Sequence, residues 1–494
     1  MKTENIQDIY ELSPLQQGIL FHSLYAPESA VYFVQLCYAL HGNLNVEAFE
    51  QAWQEVATRH AALRTAFYWE NLEKPIQVVY QQVQVPLQQQ DWRGIDSDQQ
   101  QQRLQAFLLK DRQQKFDLSQ ECLMRLTLLC FTEDSYYFVW SKHHLILDGW
   151  STALVLKEVV ELYQALCQGE MPSAPSTFYG EYIGWLQQQD LSQAEVFWRQ
   201  MLKGVKAPTP LGNLEVGNLP SLTEGYDEQR IYLSETATAS LQLWARQHQL
   251  TLNTLVQGAW ALLLSCYSGE ADVVYGVTVS GRPTDLAAAE SIVGMFINTL
   301  PVRVKLDAEE FLLNWLRQLQ AQLVEVRQYE YSPLVEVQGW SEMPRGLPLF
   351  ESILVFENYP VDRVLKDWQE LEIQNVSAFD QTNYPLTVTV VPGSELEIAI
   401  AYDRHRFAFA TIARILGHFQ TVLEGMVTHL DVRLKDLPLL TPREQHQLLI
   451  EFNQNQSKIE NCNHSFIQIH ADKTDNYPRP SAVQNLTLNN VYII

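Results

Sequence analysis

The chain has 494 residues, of which 46% are hydrophobic and 19% are charged, and its formal net charge is −24. That length is too great for one hydrophobic core, so we expect two or more domains. A surface this negative repels nucleic-acid phosphates and anionic lipids, so we expect neither nucleic acid nor a membrane as a partner.

Targeting signals and metal-binding spacings are not evident in the sequence. The residues after Met1 are polar, and no apolar run approaches the roughly 18–20 residues needed to span a bilayer, so we expect a cytoplasmic protein. The six cysteines include no CxxC pair, which argues against a disulfide framework and against a zinc site. We therefore expect no metal.

The first half of the chain predicts alternating strands and helices. Residues 31–42 are rich in β-branched and aromatic side chains, which is typical of a strand. Asn45 follows, in a position to cap a helix with one apolar stripe. Residues 125–131 and 136–142 flank a polar turn and predict a hairpin, and a long helix over 151–169 comes next.

The second half begins after a stretch rich in Pro and Ser at 169–176, which predicts a boundary. Residues 181–202 then predict one helix. The later predicted elements are helices at 251–269, 309–329 and 410–426, strands at 272–281 and 351–359, and a hairpin of 385–391 with 396–403. The order hairpin, loop, helix thus occurs in both halves, which is a weak indication of an internal repeat.

The segment SKHHLILDGWS (141–151) is the strongest chemical signal. Adjacent residues of a strand point to opposite faces, so His143 and His144 are poorly placed to bind one metal ion together. No GxSxG elbow supports a serine hydrolase. A neutral imidazole can accept a proton near pH 7, but two ordinary loop histidines fit the spacing as well. The spacing alone leaves the catalytic and the structural interpretation open.

Seven segments together match the ordered motifs of one protein family. HHLILDG fits a motif HHxxxDG. The other six are LSPLQQGILFHSLY (12–25), RHAALRTAF (59–67), YGEYIGWL (179–186), IVGMFINTLPVR (292–303), YSPLVEVQ (331–338) and PLFESILVFENYP (348–360). On these segments the chain resembles, over residues 10–445, the condensation domains of non-ribosomal peptide synthetases, which belong with chloramphenicol acetyltransferase to one superfamily.

The resemblance implies an α/β (α+β) fold. It consists of two chloramphenicol-acetyltransferase-like lobes in a V-shaped pseudo-dimer with a central tunnel, and loops of the second lobe cross to the first. We accordingly expect an N-terminal lobe at 1–175 that carries HHxxxDG and a C-terminal lobe at 176–445. Residues 446–494 resemble a linker and a vestigial start of an adenylation domain, and we expect them to be loosely ordered.

The resemblance also implies a reaction. An upstream carrier protein presents a donor acyl or peptidyl thioester, and a downstream carrier presents an aminoacyl thioester whose amine attacks the donor carbonyl. The product is an amide, and no tightly bound cofactor is implied, because phosphopantetheine arrives covalently attached to the carriers. We expect a monomer whose partners are these two peptidyl carrier proteins and an adenylation domain.

Roles for individual residues follow from the same resemblance. His144 positions the acceptor amine and receives its proton, with positioning alone as the alternative. His143 supports the loop by packing. Asp148 forms a structural salt bridge across the site, and its expected partner is Arg282, with Arg64 as the second candidate.

The expected substrate channel involves the residues next to this motif. Gly149, the fourth member of the expected catalytic set, lets a substrate pass close to the backbone on the donor side. Trp150 and Ser151 are expected to line the tunnel. Asn298 either hydrogen-bonds substrate or pantetheine or orders its own loop, and the sequence favours neither.

The subtype and two rival functions can also be stated. Epimerisation domains usually carry HHxxxDGVSW, whereas this chain has DGWS at 148–151, and its motifs look most like domains that accept a donor ending in an L-residue. The rivals are an acyltransferase that uses a free amine or alcohol acceptor and a non-catalytic module that recruits a carrier or another partner.

Overall fold

A computed structural model describes residues 5–27, 29–170, 178–211, 225–358, 371–428 and 431–451. Helices and strands are mixed in both halves of the described chain, which confirms the predicted α/β class. No helix within these ranges is both long enough and apolar enough to cross a bilayer.

The strands and α-helices have the following bounds. The strands are β1 (Ile6–Glu11), β2 (Phe33–His41), β3 (Thr65–Tyr68), β4 (Ile76–Tyr80), β5 (Leu87–Asp91), β6 (Met124–Cys130), β7 (Ser135–His143), β8 (Tyr226–Leu233), β9 (Asp272–Val279), β10 (Asn298–Lys305), β11 (Ser352–Phe356), β12 (Glu372–Asp380), β13 (Leu386–Val391) and β14 (Leu396–Asp403). The helices are α1 (Pro14–Tyr25), α2 (Val46–Arg59), α3 (Ser97–Gln113), α4 (Gly149–Cys167), α5 (Tyr179–Gln187), α6 (Leu191–Met201), α7 (Glu235–Gln247), α8 (Leu252–Ser268), α9 (Leu312–Arg327), α10 (Leu334–Trp340), α11 (Phe409–Thr428) and α12 (Pro442–His446).

The predicted elements that fall in the described residues are present, with two differences. The single helix expected over 181–202 is wrong, because the Asp190 side chain accepts the N–H of Ser192 and caps a separate helix, α6. Helix α4 begins earlier than predicted, at Gly149, because Asp148 is its N-cap. Most of the predicted boundary at 169–176 and most of 446–494 lie outside the described residues.

Two large sheets repeat one topology. The first has the order β12-β2-β7-β6-β5 and the second β10-β9-β11-β13-β14-β8. In each, a hairpin (β6–β7 or β13–β14) lies between a parallel neighbour (β5 or β11) and an antiparallel one (β2 or β8). A helix follows β2 and β8, and another follows each hairpin. This correspondence strengthens the internal repeat that the sequence indicates only weakly.

The first sheet contains a strand from the second half of the chain. β12 pairs antiparallel with β2, from Glu372 opposite His41 to Asp380 opposite Val34. A loop of the second half also packs into the first hydrophobic core, through Ile292, Val293, Met295 and Phe296. The halves are therefore joined by a strand as well as by a loop, and both bear on the segment SKHHLILDGWS.

Each large sheet buries one face under helices. α2 and α4 pack together over the first sheet, and α7, α8 and α11 cover the second. α8 is buried nearly all round, and it ends at Gly269, whose φ of 75° is a left-handed conformation that glycine adopts without strain. The rigid sheets and their helices form the scaffold on which the link from β7 to α4 is held.

Candidate active site

The candidate site lies where β7 ends and α4 begins. His143 is the last residue of β7 and pairs with Phe33 of β2, whereas Asp148 caps α4 and the partly exposed Gly149 is its first residue. Between them the chain turns through three fully buried side chains, Leu145, Ile146 and Leu147. Burial of these apolar residues anchors the link, so the neighbouring polar groups keep fixed positions.

His143 is built into the first core. Its side chain is buried, its Nδ1 accepts the N–H of Leu145 at 3.2 Å, and its Nε2 lies 3.4 Å from Ser23 Oγ. Because Nδ1 is an acceptor, the proton of the neutral ring belongs on Nε2. Burial, with a smaller contribution from the charge of His144, lowers the pKa of His143 to about 3. The residue is therefore neutral at physiological pH and has both ring nitrogens engaged by the protein.

His144 lies at the boundary between protein and solvent. Its side chain is 15% exposed, and its backbone N–H donates to the carbonyl of Tyr32 at 2.8 Å. Nδ1 is buried and has no hydrogen-bond partner among the described residues. Nε2 faces the carboxylate of Asp380, 3.5 Å away. Proton exchange with a ligand is therefore a task for Nε2.

Asp380 is a site residue that sequence reasoning missed. It is the last residue of β12, and it reaches His144 only because β12 crosses from the second half to pair with β2. The segment FDQTNYP (379–385) contains no recognised catalytic motif. An acidic residue at the end of a strand-like segment was the only signal, and it does not say which sheet the strand joins.

A buried ion pair holds the start of α4. Asp148 is fully buried; its Oδ1 accepts the N–H of Ser151 at 2.7 Å, and its Oδ2 accepts the N–H of Phe296 at 3.0 Å. Arg282 Nη2 lies 3.5 Å from Asp148 Oδ1, and Nη1 donates to the carbonyl of Ile292 at 2.9 Å. Arg282, the expected partner, is therefore next to Asp148, and the pair ties α4 to the second half.

Arg64, the second candidate for this pair, lies elsewhere. Its guanidinium donates to the carbonyl of Ala57 at 2.9 Å, to Gln7 Oε1 at 2.9 Å and to the carbonyl of Tyr80. These contacts join the end of α2 to the small sheet of β1, β4 and β3. Arg64, the second candidate, is therefore not the partner of Asp148.

Ser151 does not line an open channel in this structure. Its side chain is fully buried, and its hydroxyl donates to the Gly294 carbonyl at 2.7 Å while it accepts the Gly294 N–H at 3.0 Å and Arg282 Nη2 at 2.8 Å. A Cβ at position 294 would come within 2.1 Å of the Tyr179 ring, so the close approach needs glycine. Ser151 was expected to line the tunnel, but its hydroxyl instead joins α4 to the crossing loop.

Asn298 and Trp150 also bind the protein itself. The Asn298 amide donates to the carbonyls of Glu330 at 2.9 Å and Ser332 at 2.8 Å, and its side chain is buried. These bonds fit the loop-ordering alternative. Trp150 is partly exposed, and its Nε1 donates to the carbonyl of Glu290 at 2.9 Å. Its ring therefore remains able to form part of the wall of a substrate channel.

Lys142 is a buried cation behind the histidines that sequence reasoning also missed. Its side chain is 2% exposed, and Nζ donates to Thr152 Oγ1 at 2.8 Å. Burial lowers the pKa of Lys142 to about 8, although the charges of Asp380 and Asp148 act in the opposite direction. Two carboxylates, Asp148 and Asp380, and two cations, Lys142 and Arg282, thus lie around the histidines.

The described ranges contain no group of three or more His, Cys, Asp or Glu side chains placed to hold a metal ion. What the residues offer is one imidazole with an accessible nitrogen, a carboxylate beside it, and a rigid buried support. Such a set can orient a nucleophile that carries a proton and can take that proton up.

Comparison with known proteins gives matches over most of the chain. A family model described as Condensation domain matches residues 6–449. The chain is 49% identical to one of the linear gramicidin synthase proteins of Brevibacillus parabrevis over 457 residues, which are 92% of this chain and 6% of that protein. The chain therefore spans a small part of this curated relative.

Solved structures share the fold at lower identity. The condensation domain from Monacolin K polyketide synthase MokA matches with a TM-score of 0.74 and 15% identity, over 87% of this chain and 100% of that chain. The X-domain in its complex with OxyB from teicoplanin biosynthesis matches with a TM-score of 0.71 and 22% identity, over 89% of this chain and 97% of that chain. At these identities the likeness establishes the fold alone.

Proposed function

The chain belongs to the condensation domain family, and on that basis we propose that it forms an amide bond between two thioesters in non-ribosomal peptide synthesis. The donor is an acyl or peptidyl thioester and the acceptor an aminoacyl thioester, each on the phosphopantetheine arm of a carrier protein. The main support is His144, whose Nε2 faces a partly exposed carboxylate while the link behind it is buried.

The chemistry requires modest help from a base. An α-amino group has a pKa of about 7.7–8.0, so a useful fraction is neutral at cellular pH. The amine nitrogen attacks the donor carbonyl, the C–N bond forms, and the C–S bond breaks with its electron pair left on sulfur. The proton lost from nitrogen passes through His144 Nε2 to the leaving thiolate. Alignment of amine and carbonyl supplies much of the acceleration, since positioning is worth up to about 7–11 kcal/mol.

The remaining residues of the motif support this imidazole. His143 has both ring nitrogens engaged inside the protein, so we assign it to packing. Asp148 and Arg282 hold the start of α4 against the crossing loop. Gly149 begins α4 with no side chain, which leaves space for the donor, and Trp150 forms part of the wall beside it.

The larger assembly follows from the same premise. We propose lobes at 1–175 and 176–445 with a tunnel between them, and a monomer that acts in the cytoplasm with an upstream donor and a downstream acceptor carrier protein. An adenylation domain is a further partner, because residues 446–494 resemble a linker and a vestigial start of one. The residues DGWS favour peptide-bond formation over epimerisation, and the segments at 13–25 and 182–198 resemble domains whose donor ends in an L-configured residue.

Intact-protein mass spectrometry tests the proposed reaction. Donor and acceptor carriers are loaded with an L-aminoacyl group each and mixed with the full 494-residue chain. A dipeptidyl thioester on the downstream carrier is expected, and a donor of D configuration should react more slowly. Absence of this product, with product formed from a free amine, would contradict the dependence on carriers.

A partner-recruiting module is the second candidate. The intact HHLILDG motif at 143–149 favours catalysis over this alternative. A chain that binds loaded carriers without any turnover, with either a free or a carrier-bound acceptor, would favour recruitment.

A further inference from the structure

A second ionisable group lies beside His144. The Asp380 Oδ2 atom is 3.5 Å from His144 Nε2, and the side chain of Asp380 is 45% exposed. This distance is at the long limit of a hydrogen bond, so the contact between Asp380 and His144 is weak. Asp380 therefore faces both the imidazole and the solvent.

The position of Asp380 is fixed by the segment that follows it. The Tyr32 N–H donates to the carbonyl of Gln381 at 2.8 Å, and the Tyr32 hydroxyl donates to Asn383 Oδ1 at 2.6 Å. The carbonyl of the same Tyr32 accepts the backbone N–H of His144 at 2.8 Å. Tyr32 is thus bonded both to the segment after Asp380 and to the backbone of His144, and these bonds hold the two residues opposite each other.

Asp380 is ionised at neutral pH. Burial favours its neutral form, but the charges of His144 and Lys142 and the N–H of Gln381 outweigh this and lower the pKa of Asp380 below its usual value. The phenol of Tyr32 also faces it and is neutral, because burial raises the Tyr32 pKa well above 10. The carboxylate therefore carries a full negative charge at the mouth of the site.

The two carboxylates of the site differ in what they can still bind. Asp148 is fully buried, and its oxygens are engaged by two main-chain N–H groups and Arg282. Asp380 has one ion-pair partner among the described side chains, His144, and it is partly exposed. A carboxylate has about four acceptor positions and an ammonium three donors, so an ammonium ligand can contact Asp380 and His144 together.

We propose that Asp380 recognises the α-ammonium group of the acceptor and so selects an amine over an alcohol. The inference rests on the proposed function, because it names the acceptor class for that same site. A hydroxyl carries no positive charge and gains little from a nearby carboxylate, whereas an ammonium gains a charge-assisted hydrogen bond. Asp380 is a specificity-determining residue, and His144 remains the proton-transfer group.

The proton balance is consistent with this role. The bound ammonium releases one proton to water before attack, and the neutral amine keeps one N–H directed to Asp380 while its lone pair faces the donor carbonyl. The C–N bond then forms, and the C–S electron pair leaves with sulfur. The second proton moves from nitrogen through His144 Nε2 to the thiolate, so the products are an amide and a thiol.

A binding experiment without turnover tests the recognition directly. The probes are alanyl-aminopantetheine, which carries the ammonium, and propionyl-aminopantetheine, which lacks it; both have an amide in place of the thioester. Dissociation constants are measured by calorimetry for the wild-type chain, for Asp380→Asn and for Glu372→Gln. Glu372 is the matched control, because it is an exposed carboxylate at the other end of the same strand, β12.

The expected result is a wild-type preference for the ammonium probe that Asp380→Asn reduces by about fivefold, as for one partly exposed ion pair. Glu372→Gln should leave the preference unchanged. Equal wild-type affinity for the two probes, or a preference that survives in Asp380→Asn, would overturn the inference.

Kinetics separate recognition from support of His144. With aminoacyl acceptors, Asp380→Asn should raise the acceptor KM by about fivefold with a smaller change in kcat, and with the corresponding hydroxyacyl acceptors it should change neither. An equal loss with both acceptors would mean that Asp380 only orients His144. Failure of the wild-type chain to form product, with the probe preference intact, would count against the proposed function and not against this inference.

Discussion

The two hairpin–helix units share a topology and differ in the link that joins strand to helix. β7 leads to α4 through HHLILDG, and β14 leads to α11 through DRHRF (403–407). The first link contains an ion pair whose side chains are 0% and 6% exposed. In the second, Arg406 pairs with Glu351 at 3.0 Å with side chains 27% and 21% exposed, and His405 is exposed. The first link thus contains a buried polar centre, whereas the equivalent second link is a turn at the surface.

The difference comes from what crosses between the halves. The first link is met by Gly294, Phe296 and Arg282 from the second half, and by Asp380 on β12. β8, which corresponds to β2, pairs only with β14 in the described part of the chain, so no crossing strand corresponds there to β12. A buried charge requires partners, and the first link receives them from the other half of the chain.

The largest expected effect is the loss of the buried pair in the first link. Asp148→Ala leaves Arg282 as an unpaired buried cation and removes the N-cap of α4, so the free energy of unfolding should fall by about 3–5 kcal/mol. Urea denaturation of the purified chain measures this. A loss below about 1 kcal/mol would show that the two links are energetically alike.

The next effect is on rate. His144→Ala should lower the rate of dipeptide formation by about 100-fold, at the low end for a proton-transfer group, because a strong base is not essential here. His405→Ala, at the exposed histidine of the second link, should leave the rate unchanged. Single-turnover mass spectrometry with loaded carriers measures both, and full turnover in His144→Ala would remove the role assigned to that imidazole.

A third effect is the pH dependence of stability that the buried His143 confers. The folded-state pKa of His143 is about 3, below the 6.5 of an unfolded histidine, so the unfolded chain binds more protons between these values. Stability is therefore fully present above about pH 6.5 and is lost as the pH falls. From pH 7 to pH 5 the contribution amounts to about 2 kcal/mol.

Denaturation curves at pH 7 and pH 5 for the wild-type chain and for His143→Gln measure this contribution. The wild-type chain should lose about 2 kcal/mol more than the variant over this interval, after the other histidines cancel in the comparison. Equal losses in both proteins would mean that His143 is not held neutral by its surroundings.

The smallest effect belongs to the second link. Arg406→Met removes a partly exposed ion pair, which is worth about 0.2–1 kcal/mol, and leaves the aliphatic stem in place. The same urea measurement applies. A cost as large as that of Asp148→Ala would contradict the conclusion that crossing partners make the first link different.

The sequence predicted well the elements whose signal is local. The hairpin strands β6 and β7 follow from apolar and aromatic runs around a polar turn, and the Asn45 cap places α2 within the first core. Asp148 as an N-cap was missed, although a capping residue before a helix is itself a local signal. Ser151 was assigned to the tunnel and the role of Asn298 was left open, because the sequence does not show whether a polar side chain faces the protein or the substrate.

Residue order alone was enough to predict the alternation of strands and helices, because this depends on patterns with periods of a few residues. The family followed from the resemblance of seven ordered segments to its motifs. Which polar groups share a site was settled by the pairing of distant strands. Asp380 carries no motif, and it lies 3.5 Å from His144 only because β12 pairs with β2. Contacts of that kind depend on which strands pair, and the side-chain pattern of β12 alone does not specify its partner.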